Sequence, residues 1–407
     1  MEPAPTRRGP TVLGRMAVVV AALIAAVLAG AVVLVLLPPP SYTAWQYALL
    51  VLEFALLFTA LAVLGVALAL LGLRWSRWRR TSVTVLGLTV VALVATLVPP
   101  VSLWTTARHH DVSLSLPDYL AGFSDSTDRT PETVRYATVD GEDLVLDVWQ
   151  PADESPRDEP LPALINIHGG AEDYPQSMFP RWDTWLADQG HVVFDIDYRF
   201  FPDGEWQSSP GDVKCALAWV HRHAADYGAA PDRIAVAGAS AGGLLALLAT
   251  YSTSEQIPSS CPELGEPPRV GAVVAWYTAT DATETAVIPW RLAHSSGIGA
   301  DLERQQERMT GAAAGTDEAH RLNRALSPLT YVTPQSPPTL LIQGEHDVFV
   351  STDDTHAFAA ALGRAGVEHR VLSLPWTEHM FDLNWGGFAS QVTRDVLARF
   401  LAERLRR

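Results

Sequence analysis

Three long apolar stretches in the first hundred residues constrain this chain more than any other feature. Met16–Leu37 contains no charged residue, Trp45–Leu73 is interrupted only by Glu53, and Val83–Leu103 is broken toward its end by Pro99 and Pro100. A helix of about 20 apolar residues is long enough to cross a bilayer, and Trp45, Trp75 and Trp104 at the ends of these runs fit interfacial positions. The expectation is a three-helix transmembrane region over residues 1–104, with spans near 16–37, 45–73 and 83–103. The first run is longer than a signal-peptide core and no A-x-A site follows it, so it reads as retained. Glu53 lies about two turns from the interface, within reach of headgroups or a neighbouring helix, and reads as structural.

The charges then set an orientation. Arg7, Arg8 and Arg15 precede the first span, Arg74, Arg77, Arg79 and Arg80 separate the second from the third, and the loop at 38–44 carries no charge. Basic loops stay in the cytoplasm. Everything after Leu103 is therefore expected on the outer face of a cell membrane, as part of a multi-pass protein. Residues 1–110 hold eight arginines and two acids, which leaves 21 basic and 43 acidic residues in the remainder. A soluble part that acidic repels nucleic-acid phosphates and anionic lipid, so no nucleic-acid partner is expected.

Other chemistries are excluded by scarcity. Lys214 is the only lysine, so no GxxxxGK[ST] phosphate loop exists, and its helix-like context at Asp212–Tyr227 reads as ordinary surface. Cys215 and Cys261 lack metal or redox spacing. Whether they form a disulfide is left open, though an outer-face location would let a bridge persist. No metal and no cofactor is expected.

Beyond a linker at 105–132, strands and helices alternate through 133–407. Val134–Val139 and Leu144–Trp149 read as a hairpin around Asp140-Gly141. Apolar strands follow at Ala163–Ile167, Val192–Ile196, Ile234–Gly238, Val270–Tyr277, Thr339–Gln343 and Val371–Leu374. Between them lie helical patterns, which implies an α/β fold with a mostly parallel sheet covered on both faces. The pattern breaks between Asp281 and Leu326, a segment placed to cap the strand ends where ligands bind. Trp206, Trp276, Trp290, Trp376 and Trp385 are candidate walls for a substrate, each weighed against plain core packing.

The chemistry centres on Gly238-Ala239-Ser240-Ala241-Gly242, which joins an apolar strand to a helix. That context is what a nucleophile elbow requires. The turn is too tight for side chains at the flanking positions, and the helix points its amides and dipole toward the hydroxyl. Asn166-Ile167-His168-Gly169-Gly170-Ala171 follows another strand. Its Gly169 and Gly170 amides, with that of Ala241, are candidate oxyanion donors. A serine hydroxyl needs a base; His379, late in the chain and just after a strand, is preferred among twelve histidines. Asp347, directly after the strand Thr339–Gln343, is the expected acid, with Asp281 and Glu345 as rivals. The order Ser240, Asp347, His379 is the one an elbow fold uses.

These motifs carry a resemblance. Residues 133–407 resemble the α/β-hydrolase superfamily, and most of all its bacterial esterase and hormone-sensitive-lipase-like branch, which includes feruloyl-esterase-like members. The resemblance rests on His168-Gly169-Gly170, the elbow at Ser240, Gly344-Glu345-His346-Asp347 and Glu378-His379, and it leaves the apolar helices untouched. It implies cofactor-free hydrolysis of carboxylic esters through an acyl-enzyme, acting on a small-molecule or lipid ester. Ala171 departs from the branch's HGGG run, which puts in doubt the tertiary-alcohol preference linked with it. Acyl transfer or peptide cleavage on the same fold, and a non-catalytic membrane sensor, are the alternative expectations.

Overall fold

The computed structural model describes residues 12–153, 159–170, 174–283 and 286–405. The N-terminal part is helical: α1 (Val12–Leu36), α2 (Tyr42–Glu53), α3 (Ala55–Trp75) and α4 (Arg79–His109). Three of these, α1, α3 and α4, have the length and hydropathy to cross a membrane. Antiparallel to both α1 and α4, α3 packs against them through small residues. A side chain at Gly14 would collide with Trp75, and one at Gly72 with Val18 and Ser82. The described arginines Arg15, Arg74, Arg77, Arg79 and Arg80 flank one end of this bundle; Arg7 and Arg8 lie outside the described residues.

Two features differ from the hydropathy reading. The helix expected over 45–73 is divided at Phe54, and its first half, α2, leaves the bundle to lie on the rest of the protein. The third helix is not broken by its prolines; it runs through Pro99 and Pro100 to His109. Pro100 has no N–H to offer the Thr96 carbonyl one turn back. Thr59 Oγ1 on α3 donates to that carbonyl instead, at 2.9 Å, the kind of substitution that lets proline persist in apolar helices. At 31 residues, α4 is about 46 Å long. That exceeds a hydrocarbon core of about 30 Å, and its last turns join the second domain. Leu103 and Ala107, together with Val112 and Tyr119 from the stretch expected as a linker, are buried in that domain's core.

The second domain is an eight-stranded sheet flanked by helices. Its strands are β1 (Glu132–Val139), β2 (Glu142–Trp149), β3 (Leu161–Ile167), β4 (Val192–Ile196), β5 (Ala229–Ala239), β6 (Ala272–Trp276), β7 (Thr339–Gly344) and β8 (His369–Leu374). The order across the sheet is β1-β2-β4-β3-β5-β6-β7-β8. β1 and β2 form the expected hairpin, with Asp140 (φ 54°) and Gly141 (φ 88°) both in the left-handed conformation of a two-residue turn. β2 pairs antiparallel with β4, and every pairing from β4 to β8 is parallel. The central strands are buried along nearly their whole length, which is why they read as unbroken apolar runs. The helices of this domain are α5 (Pro180–Asp188), α6 (Ser208–His223), α7 (Ala241–Tyr251), α8 (Trp290–Ala293), α9 (Ile298–Thr310), α10 (Asp317–Leu326), α11 (Thr352–Arg364) and α12 (Phe388–Arg404). The segment 281–326 thus supplies α8, α9 and α10, inserted between β6 and β7.

Cys215 on α6 is bonded to Cys261, with 5.3 Å between the Cα atoms. The bridge closes a separation of 46 residues, for which chain-entropy arguments give about 4 kcal/mol. Reduction, or Cys261→Ser, is expected to lower the denaturation free energy by roughly that amount. Equal midpoints with and without reductant in a chemical-denaturation series would contradict it. Lys214 was expected at the surface and is instead buried, its Nζ donating to the Ser252 carbonyl at 2.9 Å. Burial pushes its ammonium pKa down to about 8.

Candidate active site

The C-terminal ends of β3, β5, β7 and β8 converge on one cavity. Ser240 sits between β5 and α7 with φ 54° and ψ −118°, a conformation that costs a non-glycine residue about 1–3 kcal/mol. The surrounding backbone enforces it. Ser240 N donates to the Trp276 carbonyl at 3.0 Å, and Thr278 Oγ1 donates to the Ser240 carbonyl at 2.7 Å. The flanking glycines are steric necessities: a Cβ at Gly238 would strike the Gly242 carbonyl, and one at Gly242 would strike the carbonyls of Ile167 and His168.

His379 follows β8 and bridges the two other predicted residues. Its Nε2 is 2.9 Å from Ser240 Oγ and its Nδ1 is 2.8 Å from Asp347 Oδ2. Asp347 is fixed in turn, since its Oδ1 accepts from Phe349 N at 2.7 Å and Val350 N at 3.0 Å. The rivals stand elsewhere: Glu345 is exposed, and Asp281 accepts from Thr283 N and Ser327 Oγ.

Gly169 and Gly170 lie beside the hydroxyl. A Cβ on Gly169 would meet the Ala239 carbonyl and Ser240 Cβ, and Gly170 adopts φ 99°. This loop is held by His168, whose ring stacks on Tyr198 at 4.7 Å and whose carbonyl accepts from Tyr198 Oη at 3.0 Å. Ala241 is the first residue of α7, so its amide has no acceptor within the helix. Ala171 lies outside the described residues. The cavity that these groups share has a volume of about 630 Å³, within the usual range for small-molecule sites. Its apolar wall includes Phe200, Leu244 and Phe349, joined by Leu302 and Met309 of α9.

Of the five tryptophans considered, only Trp276 lines the cavity. Trp206 is buried in the core on the other sheet face, Trp290 is exposed, Trp376 packs on His346, and Trp385 packs on Trp182 and under Arg394. Trp45, from the N-terminal region, lines the cavity instead.

Sequence reasoning also missed two buried acids beside His379. Glu378 accepts from His379 N at 2.9 Å and Val348 N at 2.8 Å, and its Oε1 pairs with Arg291 of α8 at 2.5 Å. Burial pushes the Glu378 carboxyl up while the guanidinium opposes this. One carboxylate therefore ties the His379 loop, the Asp347 loop and α8 together. Arg291→Leu is expected to cost about 3–5 kcal/mol, because it strands a buried charge. Adding Glu378→Gln to that variant should recover part of the loss in thermal denaturation; no recovery would show that the pair's charge is not what matters.

Asp382 is fully enclosed and accepts from Tyr277 Oη at 2.6 Å. Burial raises its pKa to about 6, partly offset by that hydrogen bond. A carboxyl raised on folding stabilises the fold below its ordinary pKa, and that contribution disappears as the pH climbs through about 6. Asp382→Asn should therefore gain stability relative to the parent by about 3 kcal/mol between pH 3.5 and pH 7. A pH-independent difference between the two would contradict this.

The sheet order, the elbow and the converging strand ends define an α/β-hydrolase. Residues 146–362 match the BD-FAE family, and the chain belongs to this family of α/β-hydrolase esterases. It is 33% identical over 262 residues to esterase LipC of Mycobacterium tuberculosis, covering 63% of this chain and 61% of the relative. Esterase LipQ of the same organism is 31% identical over 252 residues, covering 60% and 55%. The chain thus spans between half and two thirds of the length of these relatives. Among solved structures, the butyrate-bound form of a thermophilic esterase from Thermogutta terrifontis superposes with a TM-score of 0.53 at 24% identity, covering 67% of this chain and 94% of that one.

Proposed function

We propose that this protein is a membrane-anchored serine hydrolase that cleaves carboxylic esters. The observation that carries the reading is the hydrogen-bonded line from Ser240 through His379 to Asp347, at 2.9 and 2.8 Å, opening on an apolar cavity. Ser240 Oγ attacks the ester carbonyl and passes its proton to His379 Nε2. The amides of Gly169, Gly170 and Ala241 hold the resulting oxyanion. Asp347 fixes the imidazole and stabilises its cationic form. His379 then protonates the departing alkoxide, which leaves as the alcohol, and the acyl group stays on Ser240. Water attacks this acyl-enzyme, giving its proton to His379, and the acid is released with Ser240 restored. The substrate is a small-molecule or lipid ester.

The helices α1, α3 and α4 serve as spans that contact membrane lipid. The basic side chains of Arg15, Arg74, Arg77, Arg79 and Arg80 favour the cytoplasm for their end of the bundle, which supports an outer-face catalytic domain. A Cys215–Cys261 bridge suits that compartment. The test is full-length protein in detergent, given aryl esters of short acids with and without an added alcohol. Free acid is the expected product in both. Absence of turnover, or a product that carries only the added alcohol, would overturn hydrolysis.

A further inference from the structure

The helix that hydropathy placed in the second span forms a wall of the active site. α2 leaves α1 after five residues and rejoins α3 across Phe54 alone. Both of its ends are pinned to the catalytic domain. His346 Nε2 is 2.8 Å from the Val35 carbonyl in the last turn of α1, and Ser295 Oγ donates to the Pro39 carbonyl at 2.6 Å. At the other end, the Glu53 carbonyl accepts from Tyr119 Oη at 2.6 Å and Asn384 Nδ2 at 3.3 Å.

Between these anchors, Trp45 and Leu49 are buried against Ile298, Val348 and Met380. The Trp45 ring lies 5.1 Å from that of Phe349 and 6.5 Å from that of His379. Tyr42, Trp45 and Gln46 line the same cavity as Ser240. The indole N–H of Trp45 is buried without an acceptor among the described residues, a cost that a bound oxygen-bearing ligand would remove.

α2 is about 18 Å long and joins two apolar helices with almost no connecting chain. The wall it forms therefore cannot stand far from the bilayer surface. A water-soluble substrate gains nothing from a site built against that surface. An ester already dissolved in the lipid does, because its hydrocarbon chain moves from one apolar medium to another. We propose that α2 is the membrane-side portal of the site. The substrate is a long-chain ester carried by the outer leaflet, whose chain passes Tyr42 and Trp45 to place its carbonyl at Ser240. This rests on the esterase reading and on the spans proposed above.

The full chain in phosphatidylcholine vesicles tests it with two probes, 4-nitrophenyl palmitate in the bilayer and 4-nitrophenyl acetate in water. The parent should show the higher kcat/KM on the palmitate. Trp45→Ala should lower the palmitate-to-acetate ratio of kcat/KM about tenfold or more, and Trp45→Phe, which keeps an aromatic wall, should retain most of that ratio. Fluorophosphonate labelling of Ser240 to the parental extent certifies that each variant is folded. Equal losses on both probes would make Trp45 a support for His379 and overturn the portal. So would no loss on either probe, or a parental preference for acetate. If the parent hydrolyses neither ester, the esterase reading fails and this one with it.

Discussion

Ser240→Ala is expected to lower kcat for ester hydrolysis by about 10⁵–10⁶. Ser240 Oγ and His379 Nε2 are already 2.9 Å apart, so the variant removes the nucleophile and leaves the base with nothing to deprotonate. For the same reason, His379→Ala should cost a similar factor, and the double variant should be barely worse than either alone. Residues that act as one unit are not additive. The residual rate, about 10³ above water, would come from the Gly169, Gly170 and Ala241 amides and from binding. Steady-state kinetics on all three variants checks this; losses that multiply would mean that Ser240 and His379 work separately.

Gly242→Ala is expected to be damaging as well, although it adds one carbon and touches no reacting atom. That carbon would occupy the space of the Ile167 and His168 carbonyls. Both belong to the segment that leads into Gly169 and Gly170, so relieving the clash pushes these two proposed oxyanion donors away from Ser240. Displacing a donor of this kind costs about 10²–10³ in kcat, and forcing a side chain into close-packed backbone costs about a further 1–3 kcal/mol of stability. Kinetics and thermal denaturation should therefore both move. A Gly242→Ala protein with parental values of both would mean that the loop and the elbow are not in close approach.

The parts of the site that were legible in the sequence share one property: each sits shortly after a short strand with an apolar run. Ser240, Asp347, His379 and the Gly169-Gly170 pair all announce themselves by a change from apolar run to glycine or polar residue at a strand end. The hairpin was legible because Asp140-Gly141 supplies the two left-handed residues that its turn demands. What the sequence hid depends on contacts distant along the chain. Composition does not distinguish an apolar helix buried against protein from one facing lipid, so the pattern from Trp45 to Leu73 ran on through the break at Phe54.

Pro99 and Pro100 looked like a helix end because the compensating donor, Thr59, is on another helix. Lys214 looked like surface because its hydrogen-bond partner, the Ser252 carbonyl, lies 38 residues away. Glu378 stood next to His379 in plain view, but its meaning required Arg291, 87 residues earlier, to be folded against it. Trp206 and Trp385 illustrate the converse. Large aromatics near a predicted site are as often packed into its scaffold as presented to its ligand.

The most direct test of the central claim is covalent labelling of the full-length protein with a fluorophosphonate, read by intact mass and peptide mapping. The account predicts one adduct per chain, located on Ser240, with ester hydrolysis lost in proportion to labelling and no adduct on Ser240→Ala. Turnover that survives complete labelling, or an adduct on a different serine, would contradict it.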